Sequence, residues 1–532
     1  MKVLVSDPLA KEGLDILRSN AEVTEQRFES QDDLIKAVGE YDALVVRSGT
    51  QVTAEVIEAG KKLKVIGRAG VGVDNIDVSK ATEKGIMVIN APEGNTISAA
   101  EHTIAMLTGV ARNISEANAS VKKGEWKRSS FMGVELYRKT LGVVGLGRIG
   151  SEVARRSRAM GMKIIAYDPY ISSEQAEKMG VKMASLNEVF AQSDFITLHL
   201  PMNDTSYHLI GEEQFNLMKE GVRIVNCARG GLIDEQALCN AIALGKVAGA
   251  ALDVFEMEPP LKCPLLEQEN VILTPHLGAS TKEAQVNVAI QVAEQVVKAL
   301  HDDPIVSAVN MPVILPEDMA EVKYYLPLMK LMGSLYMQVF GGSVEEIELR
   351  YSGEIADKPQ ASLTNSCLIG MLQVMVGSQV NYVNAPHIAR NRGIKIKEIS
   401  IKTSDYFSNL ITLTVKSGDN KGVIAGTLFN HNDMRIVQIG DYRLEVVPSR
   451  YMLICNYADI PGVIGNVATV LGDNKINIAS MQVGRKSAGG DAVMVLQVDE
   501  PISSKVIDII SKVIPVNDIH FVVLPEKDLN EI

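Results

Sequence analysis

The chain has 532 residues, more than one hydrophobic core organises, so three or four domains are expected. A formal net charge of −12, with no basic run, argues against nucleic-acid binding. Five scattered cysteines without metal-ligand spacing or a pairing pattern point to a reducing, cytoplasmic setting and no metal site.

In chain order, Met1 runs directly into a strand-like segment, with no basic or apolar leader. β-rich runs at 2–6, 43–46, 64–67 and 87–89 alternate with helical patterns such as 11–18, the rhythm of an open parallel sheet. Residues 93–284 repeat it, with six strands expected at 141–144, 163–167, 195–198, 223–226, 249–252 and 271–273. A long apolar helix at 283–300 stops at Asp302-Asp303-Pro304, and Asn310-Met311-Pro312 reads as a linker. A mixed α+β region follows over 311–448. Within it, residues 359–389 hold no Asp, Glu, Lys or Arg, but Ser362, Asn365, Gln373, Gln379 and Asn381 interrupt the run. The apolar positions there recur at helical spacing, which predicts a buried amphipathic helix in place of a membrane span. Residues 449–532 follow the strand–helix–strand–strand–helix–strand order of a ferredoxin-like module.

The strongest local motif is Gly145-Leu146-Gly147-Arg148-Ile149-Gly150, which follows an apolar strand and opens a helix. Gly145 would make the tight turn, Gly147 would let backbone approach a pyrophosphate, and Gly150 would allow close helix–strand packing. The free N–H groups of the helix start then face the anion. The next strand ends at Asp168, where a carboxylate accepts the ribose 2′-OH of NAD and repels the 2′-phosphate of NADP.

Three later segments are more specific. They are Asn226-Cys227-Ala228-Arg229-Gly230-Gly231, Asp253-Val254-Phe255-Glu256-Met257-Glu258-Pro259-Pro260, and Thr274-Pro275-His276-Leu277-Gly278-Ala279. In this order after the glycine loop, the chain resembles the D-2-hydroxyacid dehydrogenases over at least residues 40–310. The resemblance implies two doubly wound α/β domains: a substrate-binding domain at 1–92 and 285–310, and a Rossmann-type NAD domain at 93–284. It also implies roles. His276 takes the hydroxyl proton, as imidazole titrates near neutral pH. Glu258 holds its other ring nitrogen, and Arg229 binds the substrate carboxylate through a planar fork. Arg148, Ile149, Val71, Leu200, Pro201, Cys227, Ala228, Asp253, Gly278 and Ala279 correspond to further cofactor contacts, alongside Arg229 and His276. His102 reads as an interdomain structural residue. The helix near 96–110 and the segment 120–140 correspond to dimer elements of a homodimer or homotetramer. Arg138 stands where the family often has glycine.

Two cation-bearing loops follow N-terminal strands, Arg47-Ser48-Gly49-Thr50 and Arg68-Ala69-Gly70-Val71-Gly72-Val73-Asp74-Asn75. With Asn95 and Arg128, they resemble the substrate loops of family members acting on a phosphorylated acid. Arg47 is the first candidate for the phosphate, with Arg68 and Arg128 as alternates. At the C-terminus, Asn456-Tyr457-Ala458-Asp459-Ile460-Pro461-Gly462 and Asn474-Lys475-Ile476-Asn477-Ile478 resemble an ACT regulatory domain at 449–532, preceded by an intervening regulatory domain at 311–448. Asp459 and Asn477 match the effector contacts of serine-responsive modules. The resemblance thus implies NAD-dependent, reversible oxidation of (2R)-3-phosphoglycerate to 3-phosphooxypyruvate, the first step of L-serine synthesis, with L-serine as possible effector. Another 2-hydroxyacid dehydrogenase or hydroxypyruvate reductase, and a non-enzymatic NAD-sensing protein, are the alternative readings.

Overall fold

Four sheets in succession account for the chain. The computed structural model describes residues 1–404, 406–418, 420–430, 432–487, 489–526 and 529. The first sheet is parallel, with strand order Glu22–Glu25, Lys2–Val5, Ala43–Val46, Val65–Arg68, Met87–Ile89. Its central strands are apolar on both faces because helices cover both. One covering helix comes from far along the chain. Thr281 caps Lys282–Leu300 by accepting from the Ala284 N–H, and Val288, Val292, Val296 and Leu300 pack into the core with Val3, Val5 and Leu17. The chain therefore leaves this unit near residue 95 and returns near 282.

The second sheet is also parallel. Its order is Val271–Leu273, Val247–Leu252, Val222–Asn226, Phe195–Leu198, Thr140–Val144, Lys163–Tyr167, Lys182–Met183. Seven strands form it, one more than expected. The added Lys182–Met183 is two residues long and lies on the sheet edge. Strand order reverses between Thr140–Val144 and Phe195–Leu198, and ligands of open α/β sheets bind outside strand C-termini at such a point.

The third sheet is mixed: Lys395–Ile401 pairs parallel with Glu346–Gly353, and the remaining pairings are antiparallel. Two helices, Tyr325–Val339 and Gln360–Val376, pack beside it. The second is the uncharged segment. Residues 362–372 are buried on every face, so the amphipathic expectation fails there: one side meets the neighbouring helix closely enough that a Cβ at Gly370 would strike the Lys330 carbonyl. No helix among the described residues is long and apolar enough to cross a membrane. The fourth sheet is antiparallel, ordered Ile478–Arg485, Asp491–Val498, Tyr451–Ala458, Val516–Val523, with helices Val463–Asp473 and Ser504–Val513. This is the expected ferredoxin-like rhythm.

Candidate active site

A cleft lies between the C-terminal edges of the first two sheets, with a free volume of about 440 Å³. One wall is the loop from Val71 to Asp74 with Asn90 and Asn95. The other carries Ile149, His199 to Met202, Cys227 to Arg229, His276, Gly278 and Ala279. Eleven sequence-derived candidates thus meet in one place: Val71, Asn95, Ile149, Leu200, Pro201, Cys227, Ala228, Arg229, His276, Gly278 and Ala279.

The glycine loop has the geometry its motif requires. Gly145 sits at φ +95°, and a Cβ on it would stand 2.5 Å from the His199 carbonyl oxygen. A Cβ at Gly150 would stand 2.0 Å from the Gly145 carbonyl oxygen, so strand and helix touch there. Gly147 precedes helix Arg148–Ala159 and faces open space, which leaves its backbone accessible to a pyrophosphate. The Asp168 carboxylate is held by the Leu146 N–H at 2.8 Å and the Tyr170 N–H at 2.9 Å. These residues fit an NAD molecule.

Where His276 lines the cleft, its Nδ1 lies 2.8 Å from Glu258 Oε2. Burial pushes the Glu258 carboxyl up, but the hydrogen bond and charge of His276 outweigh it and hold Glu258 below the usual carboxylate range. The same hydrogen bond raises the His276 imidazole above its ordinary value, with burial opposing. With Nδ1 engaged, Nε2 is the nitrogen left for a substrate.

Asp253 serves this loop directly. Fully buried, its carboxylate accepts from Thr274 Oγ1 (2.5 Å) and from the N–H groups of Leu277 (2.7 Å) and Gly278 (2.8 Å). His102 Nε2 lies 3.1 Å from it. His102 thus ties helix Thr96–Arg112 to the Asp253 and Thr274 side chains within the second unit, a structural place but not one between units, and the Asp253 carboxylate lies outside the cleft lining.

Arg229 Nη1 donates to the Ala228 carbonyl at 2.6 Å, and its Nε lies 3.3 Å from Asp74 Oδ2. Arg68 lies within electrostatic reach of both Arg229 and Arg47; burial, then those two cations, push it below the ordinary guanidinium range. Arg47 Nε, Arg68 Nε and Asn95 Oδ1 are buried side-chain atoms without a hydrogen-bond partner. Ser48 and Gly49 lie on the Arg47 loop, where the Asp7 carboxylate accepts from the Arg47 and Thr50 N–H groups. Arg128 is not brought to this cleft. It opens the turn Arg128–Phe131, whose neighbours Lys127 and Ser130 line a separate depression with Asn113 and Asn270.

Sequence reasoning missed Asn90, Ala99, His199, Met202 and Val309, all of which line the cleft, whereas Gly72, Val73 and Asp74 line it from the second cation-bearing loop singled out in the sequence. Position at strand C-termini was the available signal for His199 and Asn90. Burial pushes His199 down to about 4, so its ring is neutral, and its Nε2 lies 3.0 Å from Thr197 Oγ1. Burial likewise pushes the Cys227 thiol up to about 12, so it stays a neutral thiol at this wall of the cleft.

The two effector candidates do not meet within one chain. Asp459 lies beside Arg485, with Oδ2 3.4 Å from Nη1, whereas Asn477 donates to Asp499 at 2.6 Å. They stand at opposite ends of strand Ile478–Arg485, roughly 25 Å apart by strand rise.

A glycine-looped NAD fold, facing a histidine–carboxylate pair and an arginine, defines an NAD-dependent dehydrogenase of 2-hydroxy acids. Residues 104–278 match the model of the D-isomer specific 2-hydroxyacid dehydrogenase NAD-binding domain. Residues 321–440 match the D-3-phosphoglycerate dehydrogenase intervening domain, and 451–515 the ACT domain. The chain is 48% identical to D-3-phosphoglycerate dehydrogenase of Methanocaldococcus jannaschii, covering 98% of this chain and 99% of that one. It is 43% identical to the Bacillus subtilis enzyme of the same name, covering 98% and 100%. Among solved structures, D-lactate dehydrogenase from Aquifex aeolicus, complexed with NAD and lactic acid, is 31% identical with a TM-score of 0.52, covering 57% of this chain and 96% of that one. A glyoxylate reductase from Paecilomyes thermophila is 34% identical with a TM-score of 0.54, covering 58% and 98%. The chain belongs to the D-3-phosphoglycerate dehydrogenase family.

Proposed function

We propose that this enzyme reversibly oxidises (2R)-3-phosphoglycerate to 3-phosphooxypyruvate, opening L-serine synthesis. The observation that carries the reading is the His276–Glu258 pair, whose histidine lines the same cleft as Arg229, with Arg68 within electrostatic reach of both Arg229 and Arg47. Bound NAD supplies the hydride acceptor, seated on Gly145 to Gly150 with Asp168 at its ribose. Arg229 anchors the substrate carboxylate and draws electron density from the 2-oxygen. His276 Nε2 receives the hydroxyl proton as the C2–H bond breaks and C2–O becomes a carbonyl. Glu258 keeps the Nδ1 proton in place and stabilises the imidazolium that forms. Arg47 and Arg68, with their unpaired buried Nε atoms, take the phosphate. Their added charge separates this substrate from unphosphorylated acids. Closure of the two units around the cleft excludes water.

The ACT module supports an L-serine effector at Asp459 and Asn477, completed by a second copy. A homodimer or homotetramer is supported by the exposed Trp126 (79%) and Met132 (83%) in the segment between helix Ile114–Lys122 and strand Thr140–Val144. The five free thiols suit a cytoplasmic setting.

The deciding experiment is NADH formation at alkaline pH with 3-phosphoglycerate, D-lactate, D-glycerate and 2-hydroxyglutarate in parallel. The phosphorylated acid is expected to show the highest kcat/KM, and its loss in Arg47→Ala should be selective. Equal rates on all four acids would remove the phosphate assignment. Inactivity on all would favour an NAD-sensing protein.

A further inference from the structure

The proposed carboxylate anchor already has a carboxylate against it. Asp74 comes from the first sheet's unit, Arg229 from the second, and both line the cleft. The contact is made along one edge of the guanidinium. Nε faces Asp74 Oδ2 at 3.3 Å, and Nη2 lies over Gly72, where a Cβ would stand 2.1 Å from Nη2 and 2.6 Å from that same oxygen. Nη1 is meanwhile directed to the Ala228 carbonyl. The Nε–Nη2 edge is one of the two on which arginine binds a carboxylate with two parallel hydrogen bonds. Asp74 stands where a substrate carboxylate would dock.

The manner of contact separates a competitor from a support. Asp253, a supporting carboxylate, is fully buried, and its two oxygens accept three hydrogen bonds. The Asp74 side chain is 67% exposed and reaches Arg229, itself 25% exposed, through one oxygen. A water-exposed, one-point ion pair is weak and exchangeable. Asp74 faces two cations, Arg229 and Arg68, and Arg68 also feels the charges of Arg47 and Asp7. A second exposed pair has the same form: Glu93 Oε1 lies 3.3 Å from Arg148 Nη2, the cation expected at the pyrophosphate.

We propose that Asp74 is a built-in competitor for Arg229, an affinity-setting carboxylate that an incoming 2-hydroxy acid must displace. This rests on Arg229 being the substrate's carboxylate anchor. Gly72 is the necessary companion, since a side chain there would drive Asp74 and Arg229 apart. The displacement taxes every substrate equally, so it appears in KM and in the affinity of any small carboxylate, and it weakens with salt as exposed ion pairs do.

The test is Asp74→Asn in the full-length enzyme, with KM for 3-phosphoglycerate and the inhibition constant of oxalate measured at low and high ionic strength. Both are expected to fall about two- to five-fold at low salt, the range of an exposed ion pair, and to converge on the unsubstituted enzyme at high salt. Asp74→Glu, which keeps the charge, should not show the fall. A raised or unchanged KM and oxalate constant in Asp74→Asn would overturn the proposal and make Asp74 a support for Arg229. Arg229→Ala separates the two layers. If it leaves KM unchanged, the anchor reading itself fails. If it raises KM while Asp74→Asn does not lower it, the anchor stands and the displacement falls.

Discussion

Glu258 controls two properties of His276 at once, the ring orientation and the pH at which the ring loses its proton. Because the pair raises the imidazole above its ordinary value, the neutral base needed for oxidation accumulates only as pH rises through that higher value. Glu258→Gln removes the charge. The acidic limb of kcat/KM for oxidation should then move to lower pH, while the alkaline limb of the reductive direction, which needs imidazolium, moves the same way. Turnover should also fall about 10- to 100-fold, the usual cost of losing an orienting partner. A pH–rate profile in both directions checks this, and an unmoved limb would mean that another group titrates. The His276 backbone adds a further constraint: at φ +54° it occupies a region non-glycine residues seldom adopt, and the Asp253 hydrogen bonds on either side hold it there.

At the scale of elements, Arg138 stands out. It precedes strand Thr140–Val144 at φ +63°, with its N–H on the Gly161 carbonyl, a left-handed conformation that glycine adopts without strain. Arg138→Gly should stabilise the protein by about 1 kcal/mol by relieving left-handed strain. Its guanidinium sits 5.0 Å over the Tyr137 ring, so part of that gain is returned. A thermal melt with unchanged kcat would confirm the gain, and a lowered melting temperature would refute it. The alternating strands, the glycine loop and the ACT rhythm were legible because each is written locally, in apolar runs and turn residues. The strand Glu22–Glu25 was not, as Glu-Val-Thr-Glu lies on an exposed sheet edge and has no apolar face. Strand order in the third sheet was equally hidden, since Glu346–Gly353 pairs with partners about fifty and sixty residues away. In the cleft, His276, Arg229 and Glu258 were marked by motifs. His199 carries no motif, and only the meeting of two sheets gives it a place; Asp74 lay in the Arg68 loop, but nothing local marked it as a partner of Arg229.

On the scale of the whole molecule, the separated Asp459 and Asn477 give a test of assembly. If each effector site takes Asp459 from one copy and Asn477 from another, Asp459→Ala and Asn477→Ala should each abolish L-serine binding. A co-expressed mixture should regain about a quarter of the normal stoichiometry, because half of the random dimers carry one intact site of two. Calorimetric titration measures it, and a mixture as silent as its parents would refute a site shared between copies.

The chain passes between the first two units twice, and the two crossings touch. A Cβ at Gly94 would stand 2.6 Å from the Val288 side chain and 2.8 Å from its backbone nitrogen, and the Glu93 N–H donates to Gln291 at 3.4 Å. A single connecting strand is a swivel. Two strands fastened side by side are a door hinge, which bends about one line and resists twisting. Were the two units to close as proposed, the arginine loops of one leaf would swing along a fixed arc onto the histidine of the other, with the aim of the closing stroke set at Gly94.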